Sequence, residues 1–89
     1  MYILECSDGS SYTGSTNNLE RRYEEHCLGI GAKYTMARRP LKLIYYEEFD
    51  RIELAFYREK QIQGWSRKKK IALIEGKFDD LPGLSKSNK

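Results

Sequence analysis

The first fourteen residues have the pattern of two short β-strands joined by a tight turn. Strands are predicted at residues 2–6 and 10–14, on either side of the turn sequence Ser7-Asp8-Gly9. Residues 41–49 are also β-rich, and because both faces of this segment are apolar it is predicted to be the central strand. The sheet is therefore expected to have three strands, with antiparallel or mixed pairing.

The length of the first turn decides which side chains share a face of the sheet. A two-residue loop at Asp8-Gly9 would put Tyr2 and Tyr12 on opposite faces. A three-residue loop with Gly9 in the left-handed region and a bulge puts both tyrosines on one face. We favour the second register, which also places Gly14 opposite Tyr2, where no side chain would crowd the ring.

Three later segments have the apolar spacing of amphipathic helices and follow residues that cap helices. They are residues 18–28 after Asn17, residues 51–63 after Asp50, and residues 67–75 after Ser66. The last helix is expected to turn Ile71 and Ile74 inward, and a Gly-rich basic loop is predicted at residues 29–40. The chain is thus expected to be a small α+β domain, within the broad α/β class, over residues 1–76. Its element order is β-β-α-β-α-α, and residues 77–89 are predicted to form a flexible tail.

The second predicted helix carries a carboxylate at the centre of its apolar face. At helical periodicity Glu59 falls in the middle of an apolar stripe formed by Ile52, Ala55, Phe56 and Ile62. Burying an unpaired carboxylate costs several kcal/mol, so Glu59 must pair with a cation, bind a metal or face a cleft. The pattern predicts a functional site or a buried ion pair.

The first predicted helix presents polar groups along the edge of its own apolar face. Arg22 and His26 lie one turn apart beside the stripe formed by Leu19, Tyr23 and Cys27, while Arg21, Glu24 and Glu25 are expected to point away. Two helices would therefore offer a guanidinium, an imidazole and a carboxylate from their inward edges. Taken singly, a histidine at such a position is more often a packing residue than a catalytic one.

The distribution of charge indicates where a polyanion would bind. The net charge of the 89 residues is only +3, but the cations are concentrated in the loop at 29–42 and in a run at 67–70, while the acids lie elsewhere. We predict a DNA-binding role for Lys33, Arg38, Arg39, Arg67, Lys68 and Lys69. The alternative, a solvated basic surface without a ligand, fits the run at 67–70 equally well.

The two cysteines and the hydropathy of the chain bear on its compartment. Cys6 and Cys27 lack the spacing of a metal site, and the chain has neither a signal peptide nor an apolar run long enough to span a membrane. The cysteines are expected to be small buried apolar residues. A reduced cytoplasmic protein without a membrane partner is predicted.

Several of these residues together resemble the motifs of the GIY-YIG nuclease domain over about residues 1–76. The first motif of that family ends in a tyrosine, and the second begins ten residues later. Its arginine follows after ten more, then a His or Tyr one turn on, and later a single glutamate. The matching residues are Tyr2, Tyr12-Thr13-Gly14, Arg22, His26 and Glu59. The chain begins within the first motif, so the family's glycine is absent and the first strand is expected to be short.

The small stand-alone bacterial members of the family are the most similar, because they share stretches like residues 31–35 and 60–66. The nuclease subunit of a eukaryotic endonuclease that cuts branched DNA is also similar. Excision-repair nucleases resemble the chain more distantly, and where they carry a lysine this chain has Ser15.

The resemblance implies a metal-dependent DNA endonuclease, with a possible role on branched or other non-duplex DNA in repair or recombination. In that reading Glu59 binds Mg²⁺ or Mn²⁺, Arg22 holds a phosphate oxygen, and Tyr12 orients or deprotonates the attacking water. His26 would relay the proton and Tyr2 would bridge water and phosphate. Two alternatives stay open: a purely structural pair between Arg22 and Glu59, and a non-catalytic nucleic-acid-binding module that acts through a protein partner.

Overall fold

A computed structural model describes residues 1–76 as a three-stranded antiparallel sheet covered by helices on both faces. The elements in chain order are β1 (Tyr2–Glu5), β2 (Ser11–Gly14), α1 (Leu19–Cys27), α2 (Lys33–Met36), β3 (Lys42–Tyr46), α3 (Ile52–Gln63) and α4 (Arg67–Ile74). The predicted α+β class and element order are confirmed, with one addition, because the basic loop contains the short helix α2. The tail predicted at residues 77–89 lies outside the described residues.

The β1–β2 hairpin has the register that places both tyrosines on one face. Tyr2 lies opposite Gly14, and the backbone N–H of Cys6 donates to Ser10 O at 2.9 Å, which closes a three-residue loop. Gly9 adopts a φ of 85°, a left-handed conformation that is open to glycine at little cost. The predicted three-residue turn is therefore confirmed.

The central strand is β1 and not β3, so the prediction for residues 41–49 was wrong. The strand order is β2-β1-β3, and β1 is buried on both faces while β3 is half-exposed at the edge. A bulge interrupts the pairing of β1 with β3, since Ile3 pairs with Tyr45 and Leu4 pairs with Leu43. Apolar residues on both faces of an edge strand thus reflect a break in alternation at Ile44.

Each face of the sheet has its own apolar core. On one face Tyr2, Leu4, Cys6 and Leu41 pack with residues of α1. On the other face the core joins the strands to α3 and α4 through Met1, Ile3, Ile62, Ala72 and Leu73. The side chains of β1 therefore alternate between two helical layers. This arrangement puts Arg22 and His26 on one side of the sheet and the helix that carries Glu59 on the other.

Two of the three predicted helix caps were wrong. The α1 cap is Asn18 rather than Asn17, and its Oδ1 accepts from Arg21 N at 3.1 Å. Asp50 does not cap α3, which begins after Arg51 without a side-chain cap. Ser66 caps α4 as predicted. Adjacent asparagines offer the same chemistry one residue apart, so composition alone does not choose between them.

The buried faces of α3 and α4 are narrower than their apolar spacing predicted. Ile52 and Phe56 remain 43% and 48% exposed, so the α3 core face consists of Ala55 and Ile62. In α4 Ile71 is 42% exposed, and Leu73 is buried in its place. The small sheet covers only part of each helix, which leaves apolar side chains at the edges in solvent.

Gly14→Ala is expected to destabilise the fold by about 1–3 kcal/mol, the usual cost of adding a methyl group to a filled site. A Cβ at Gly14 would lie 2.5 Å from the Tyr2 hydroxyl oxygen and 2.7 Å from its ring. Gly64→Ala is the control, because its nearest neighbour would be 3.5 Å away. Urea denaturation of both variants measures the difference. Equal midpoints would show that the Tyr2 ring moves aside freely.

Candidate active site

A buried chain of hydrogen bonds connects β1, α1 and α2. The Tyr2 hydroxyl lies 2.8 Å from His26 Nε2, and His26 Nδ1 lies 2.8 Å from Thr35 Oγ1. The Thr35 hydroxyl in turn donates to Ala32 O at 3.1 Å. All three side chains are almost completely buried. Each side-chain polar atom of Tyr2, His26 and Thr35 has a hydrogen-bond partner, as a buried network requires.

The hydrogen bonds of Thr35 favour one tautomer of His26. When Thr35 Oγ1 gives its one hydrogen to Ala32 O, it accepts from an Nδ1–H of His26. Nε2 is then unprotonated and accepts from the Tyr2 hydroxyl. Burial lowers the pKa of His26, and the charge of Arg22 lowers it further. His26 is therefore neutral at pH 7, with a lone pair aimed at Tyr2.

A glycine gives the imidazole its space. A Cβ on Gly31 would collide with Nδ1 and Cγ of His26. Gly31 also accepts a hydrogen bond from Arg22 Nη2 through its carbonyl, at 3.2 Å. The stretch at residues 31–35 thus supplies a gap for the ring, an acceptor for the guanidinium and the Thr35 hydroxyl.

Tyr12 belongs to a cluster of rings around His26. Its ring centroid lies 5.2 Å from that of His26 and 6.4 Å from that of Tyr2. It also stacks on Tyr34, with centroids 6.1 Å apart and planes 29° from parallel. Tyr2 and Tyr12 share one face of the sheet, as the hairpin register predicted, and both contact the imidazole.

Arg22 is anchored on two sides and acts on Tyr2. Its Nη1 donates to Glu25 Oε1 at 3.1 Å. Glu25 therefore points toward the edge of the site, and the prediction that it points away was wrong. Burial raises the pKa of the Tyr2 hydroxyl, and the hydrogen-bonding guanidinium of Arg22 opposes that rise. The negative charge of Glu59 raises the Tyr2 pKa slightly, so Tyr2 lies within electrostatic reach of both groups.

Glu59 is held by neutral donors. Its Oε1 accepts from the Ser15 hydroxyl at 2.7 Å, and its Oε2 accepts from the Gln63 amide at 2.8 Å. The side chain is 12% exposed, and the nearest cation is Lys60 Nζ at 3.8 Å. Arg22 instead forms its ion pair with Glu25, which contradicts a structural pair between Arg22 and Glu59. The predicted inward position of Glu59 is confirmed.

The carboxylate of Glu59 is suited to bind a hydrated hard cation. Each carboxylate oxygen accepts one hydrogen bond and keeps a second lone pair. Among residues 1–76 no cluster of three or more His, Cys, Asp or Glu side chains could enclose a metal. Magnesium tolerates such a site, because it keeps most of its waters and binds through one or two carboxylates. Zinc and calcium require more protein ligands.

The cations predicted to bind DNA differ in their availability. Lys33 and Lys68 are exposed. Arg38 pairs with Asp8 at 3.1 Å, and Arg39 donates to Met36 O at 3.1 Å, so both take part in local structure. In α4, Arg67 Nη2 donates to Gly9 O at 3.3 Å and Lys69 Nζ lies 4.5 Å from the centroid of the Trp65 ring.

Sequence reasoning missed four side chains that support the site. Thr35 orients His26, Tyr34 stacks on Tyr12, and the donors Ser15 and Gln63 hold Glu59. Gln63 lies one turn after Glu59, a spacing at which an amide reaches a carboxylate. That spacing was an available signal. Ser15 was noted only as a departure from the excision-repair relatives and Thr35 only as part of the shared stretch at residues 31–35, and their contacts with the site come from the tertiary fold.

The cysteines match the prediction only in part. Both are free, and Cys6 is buried, but Cys27 at the end of α1 is exposed. The expectation of two buried thiols was therefore wrong for Cys27, because His26 and not Cys27 occupies the buried side of the last turn of α1. None of the helices in residues 1–76 has the length and apolarity to cross a membrane.

Comparison with known proteins gives concordant results. A family model described as the GIY-YIG catalytic domain matches residues 1–72. A UPF0213 protein of Haloquadratum walsbyi is 49% identical over 75 residues, covering 84% of each chain. One from Clostridium perfringens is 49% identical over 77 residues, covering 86% of this chain and 83% of that protein. The solution NMR structure of a UPF0213 protein from Bacillus halodurans has a TM-score of 0.54 and 44% identity, covering 83% of this chain and 79% of that chain.

The lowered pKa of His26 predicts that stability falls on mild acidification. The unfolded chain binds a proton near pH 6.5, while the folded protein resists until lower pH. The contribution of neutral His26 to the free energy of unfolding is complete above the pKa of the unfolded chain. It is lost as the pH falls toward and through the lower pKa of His26 in the folded protein. His26 is the single histidine in the sequence, so His26→Gln should flatten the stability profile just below pH 6.5. Urea midpoints against pH measure this, and parallel profiles would contradict it.

Proposed function

The chain belongs to the GIY-YIG catalytic domain family, and on that premise we propose that it is a metal-dependent DNA endonuclease that hydrolyses phosphodiester bonds. The observation that carries the proposal is the position of Tyr2. Its hydroxyl meets the unprotonated Nε2 of His26 while its pKa responds to both Arg22 and Glu59. A base, a cation and a carboxylate within electrostatic reach of one hydroxyl are the groups that phosphodiester hydrolysis needs.

Glu59 would hold the metal, and Mg²⁺ or Mn²⁺ bound there would stabilise the charge on the leaving oxygen. Ser15 and Gln63 orient the carboxylate with one hydrogen bond to each oxygen. Such support from neighbouring donors fixes the direction of a metal ligand. The serine at the position where excision-repair relatives have lysine therefore leaves the carboxylate without a competing cation on that side.

The hydrogen bond between Tyr2 and His26 supports a proton path. As the attacking water gives a proton to the Tyr2 oxygen, the hydroxyl hydrogen of Tyr2 passes to His26 Nε2. The products are a hydroxide, a neutral tyrosine and an imidazolium that still donates from Nδ1 to Thr35. The raised pKa keeps the Tyr2 hydroxyl protonated at neutral pH, so it accepts the water proton only as it passes its own hydrogen on. In this proposal the transfer through Tyr2 and His26 replaces the direct role expected for Tyr12. Tyr12, in ring contact with both residues, would orient the water.

Arg22 would bind a non-bridging phosphate oxygen. Glu25 and the Gly31 carbonyl occupy one donor on each terminal nitrogen, which holds the guanidinium plane in place. The N–H groups that are not engaged with Glu25, Gly31 or Tyr2 can make the charge-assisted contacts that arginine forms with phosphate. An arginine fixed in advance loses little conformational entropy when substrate binds.

Several features favour DNA of particular structure over DNA of particular sequence. In residues 1–76 the exposed cations Lys33 and Lys68 offer phosphate contacts, which position a duplex without reading its bases. A groove of about 630 Å³ beyond Tyr2 is lined by several acids, among them Glu20, Glu48 and Asp50, and this side would repel a phosphate backbone. We therefore propose that branched or otherwise non-duplex DNA, as met in repair or recombination, is the substrate.

A nicking assay tests the proposal. Branched and linear DNA of the same sequence are incubated with the protein and Mg²⁺, Mn²⁺ or EDTA. Cleavage with either metal and none in EDTA is the expected result. DNA binding without cleavage under every condition would instead support a non-catalytic module that acts through a protein partner.

Glu59→Gln should abolish metal-dependent cleavage while DNA affinity and the fold are retained. The amide cannot supply the negative charge that a hard cation needs, but it keeps an acceptor for the Ser15 hydroxyl. Glu53→Gln is the matched control, since Glu53 lies on the same helix with 62% of its side chain exposed. Steady-state cleavage rates and urea midpoints distinguish the two. Wild-type cleavage by Glu59→Gln would remove Glu59 from the metal site.

Exchange of the exposed cations should weaken DNA binding at all sequences alike. The test variant carries both Lys33→Gln and Lys68→Gln. Each phosphate contact that it loses should lower the slope of log K against log salt by about 0.7–0.9. Fluorescence anisotropy over a salt series measures the slope. A slope equal to that of wild type would mean that both residues are only solvated surface charges.

A further inference from the structure

Arg38 lies between the hairpin turn and the ring cluster of the site, although its charge alone suggested a DNA contact. We infer that Arg38 is a positioning residue, which fixes Tyr12 through Tyr34 and is itself fixed by Asp8. The inference rests on the proposed function, because it assigns a role in orienting the water at Tyr12. It also changes the interpretation of the basic loop, in which one cation would serve catalysis rather than binding.

Three contacts immobilise the guanidinium of Arg38. Nε donates to Asp8 Oδ2 at 3.1 Å, and Nη1 donates to the backbone oxygen of Tyr34 at 3.0 Å. The central carbon lies 3.8 Å from the centroid of the Tyr34 ring, a cation–π distance. The planar group thus satisfies a carboxylate, a carbonyl and an aromatic face together, which a lysine ammonium does not do.

Tyr34 carries this constraint to Tyr12. The two rings stack at 6.1 Å with planes 29° apart, and Tyr12 also meets the edge of His26 at 5.2 Å. The hydroxyl of Tyr34 makes no hydrogen bond within residues 1–76, so the ring face is the part that acts. Rings held by stacking have fewer orientations than rings at a free surface.

The hairpin turn completes the arrangement. The carboxylate of Asp8 accepts from the backbone N–H of Ser10 at 3.0 Å, which fixes it within the turn. The backbone N–H of Ser7 also donates to Arg38 O at 2.9 Å. The turn before β2 and the segment after α2 are therefore joined through both the backbone and the side chain of Arg38. Tyr12 is therefore held by the hairpin turn that precedes it in β2 and by the Tyr34 ring that stacks on it.

The decisive variant is Arg38→Lys, which keeps the charge and removes the planar fork. If Arg38 positions Tyr12, the cleavage rate at saturating DNA falls about 10- to 100-fold, the range produced by a small displacement of a reacting group. DNA affinity and its salt slope stay at the wild-type values, because the charge remains. Arg51→Lys is the matched control, since Arg51 pairs with Glu53 at 3.7 Å on the exposed surface. It should leave rate and affinity unchanged.

A pair of variants at Tyr34 tests the same connection without altering charge. Tyr34→Phe retains the ring face and should cleave like wild type. Tyr34→Leu removes the face and should lower the rate as Arg38→Lys does, with DNA affinity retained. Equal rates for Phe and Leu would overturn the inference. This pair decides the matter even if Arg38→Lys does not fold.

Aromatic NMR shifts separate failure of this inference from failure of the proposed function. The ring resonances of Tyr12 and His26 should move in Arg38→Lys and Tyr34→Leu but not in Arg51→Lys or Tyr34→Phe. If no protein cleaves DNA while these shifts move, the positioning contact stands and the nuclease proposal falls. If wild type cleaves and the shifts in Arg38→Lys stay unchanged, the positioning role is wrong. A lower salt slope for Arg38→Lys with an unchanged rate would return Arg38 to the DNA-binding set.

Discussion

The hydrogen bond between the Tyr2 hydroxyl and His26 Nε2 is the interaction around which the domain is arranged. It joins the central strand to α1 across a buried space, at 2.8 Å. Two glycines make that bond possible, because a Cβ on Gly14 would strike the tyrosine ring and a Cβ on Gly31 would strike the imidazole. Thr35 then favours one tautomer from the far side of the ring. Both aromatic groups are therefore placed by backbone that approaches closely as much as by their own packing.

Local features of the sequence predicted the parts of the fold that depend on local chemistry. The turn at Gly9 fixes the register of the hairpin, including the pairing of Tyr2 with Gly14, and the Ser66 cap acts within one turn of α4. The central strand was not predictable in this way, because a bulge at Ile44 gave β3 the apolar pattern of a strand buried on both faces. Which strand lies in the centre depends on how the strands pair in the folded protein, and the apolar pattern of residues 41–49 does not reveal that pairing.

The candidate site shows the same division. Helical periodicity placed Arg22, His26 and Glu59 toward the interior, and the structure agrees for all three. The partners of these residues were beyond sequence reasoning: Glu59 is satisfied by Ser15, which is 44 positions away, and His26 by Thr35 from a loop that looked merely basic. A carboxylate in an apolar stripe predicted a functional site or a buried ion pair, and the structure gives Glu59 two neutral hydrogen-bond donors with Lys60 at 3.8 Å. Hydrogen bonds from a hydroxyl and an amide cost less to bury than a second charge.

The order of the elements along the chain has a consequence for the nascent protein. Tyr2, Tyr12, Arg22 and His26 all belong to the first third of the sequence, whereas Glu59 comes from a helix on the opposite face of the sheet. Translation delivers the amino-terminal part first. A prematurely terminated polypeptide would hold the proton-handling residues and lack the carboxylate. On the proposed function, ribosomal abortive fragments of this protein would be harmless to the genome, and hydrolytic competence would begin only when α3 has left the ribosome and docked.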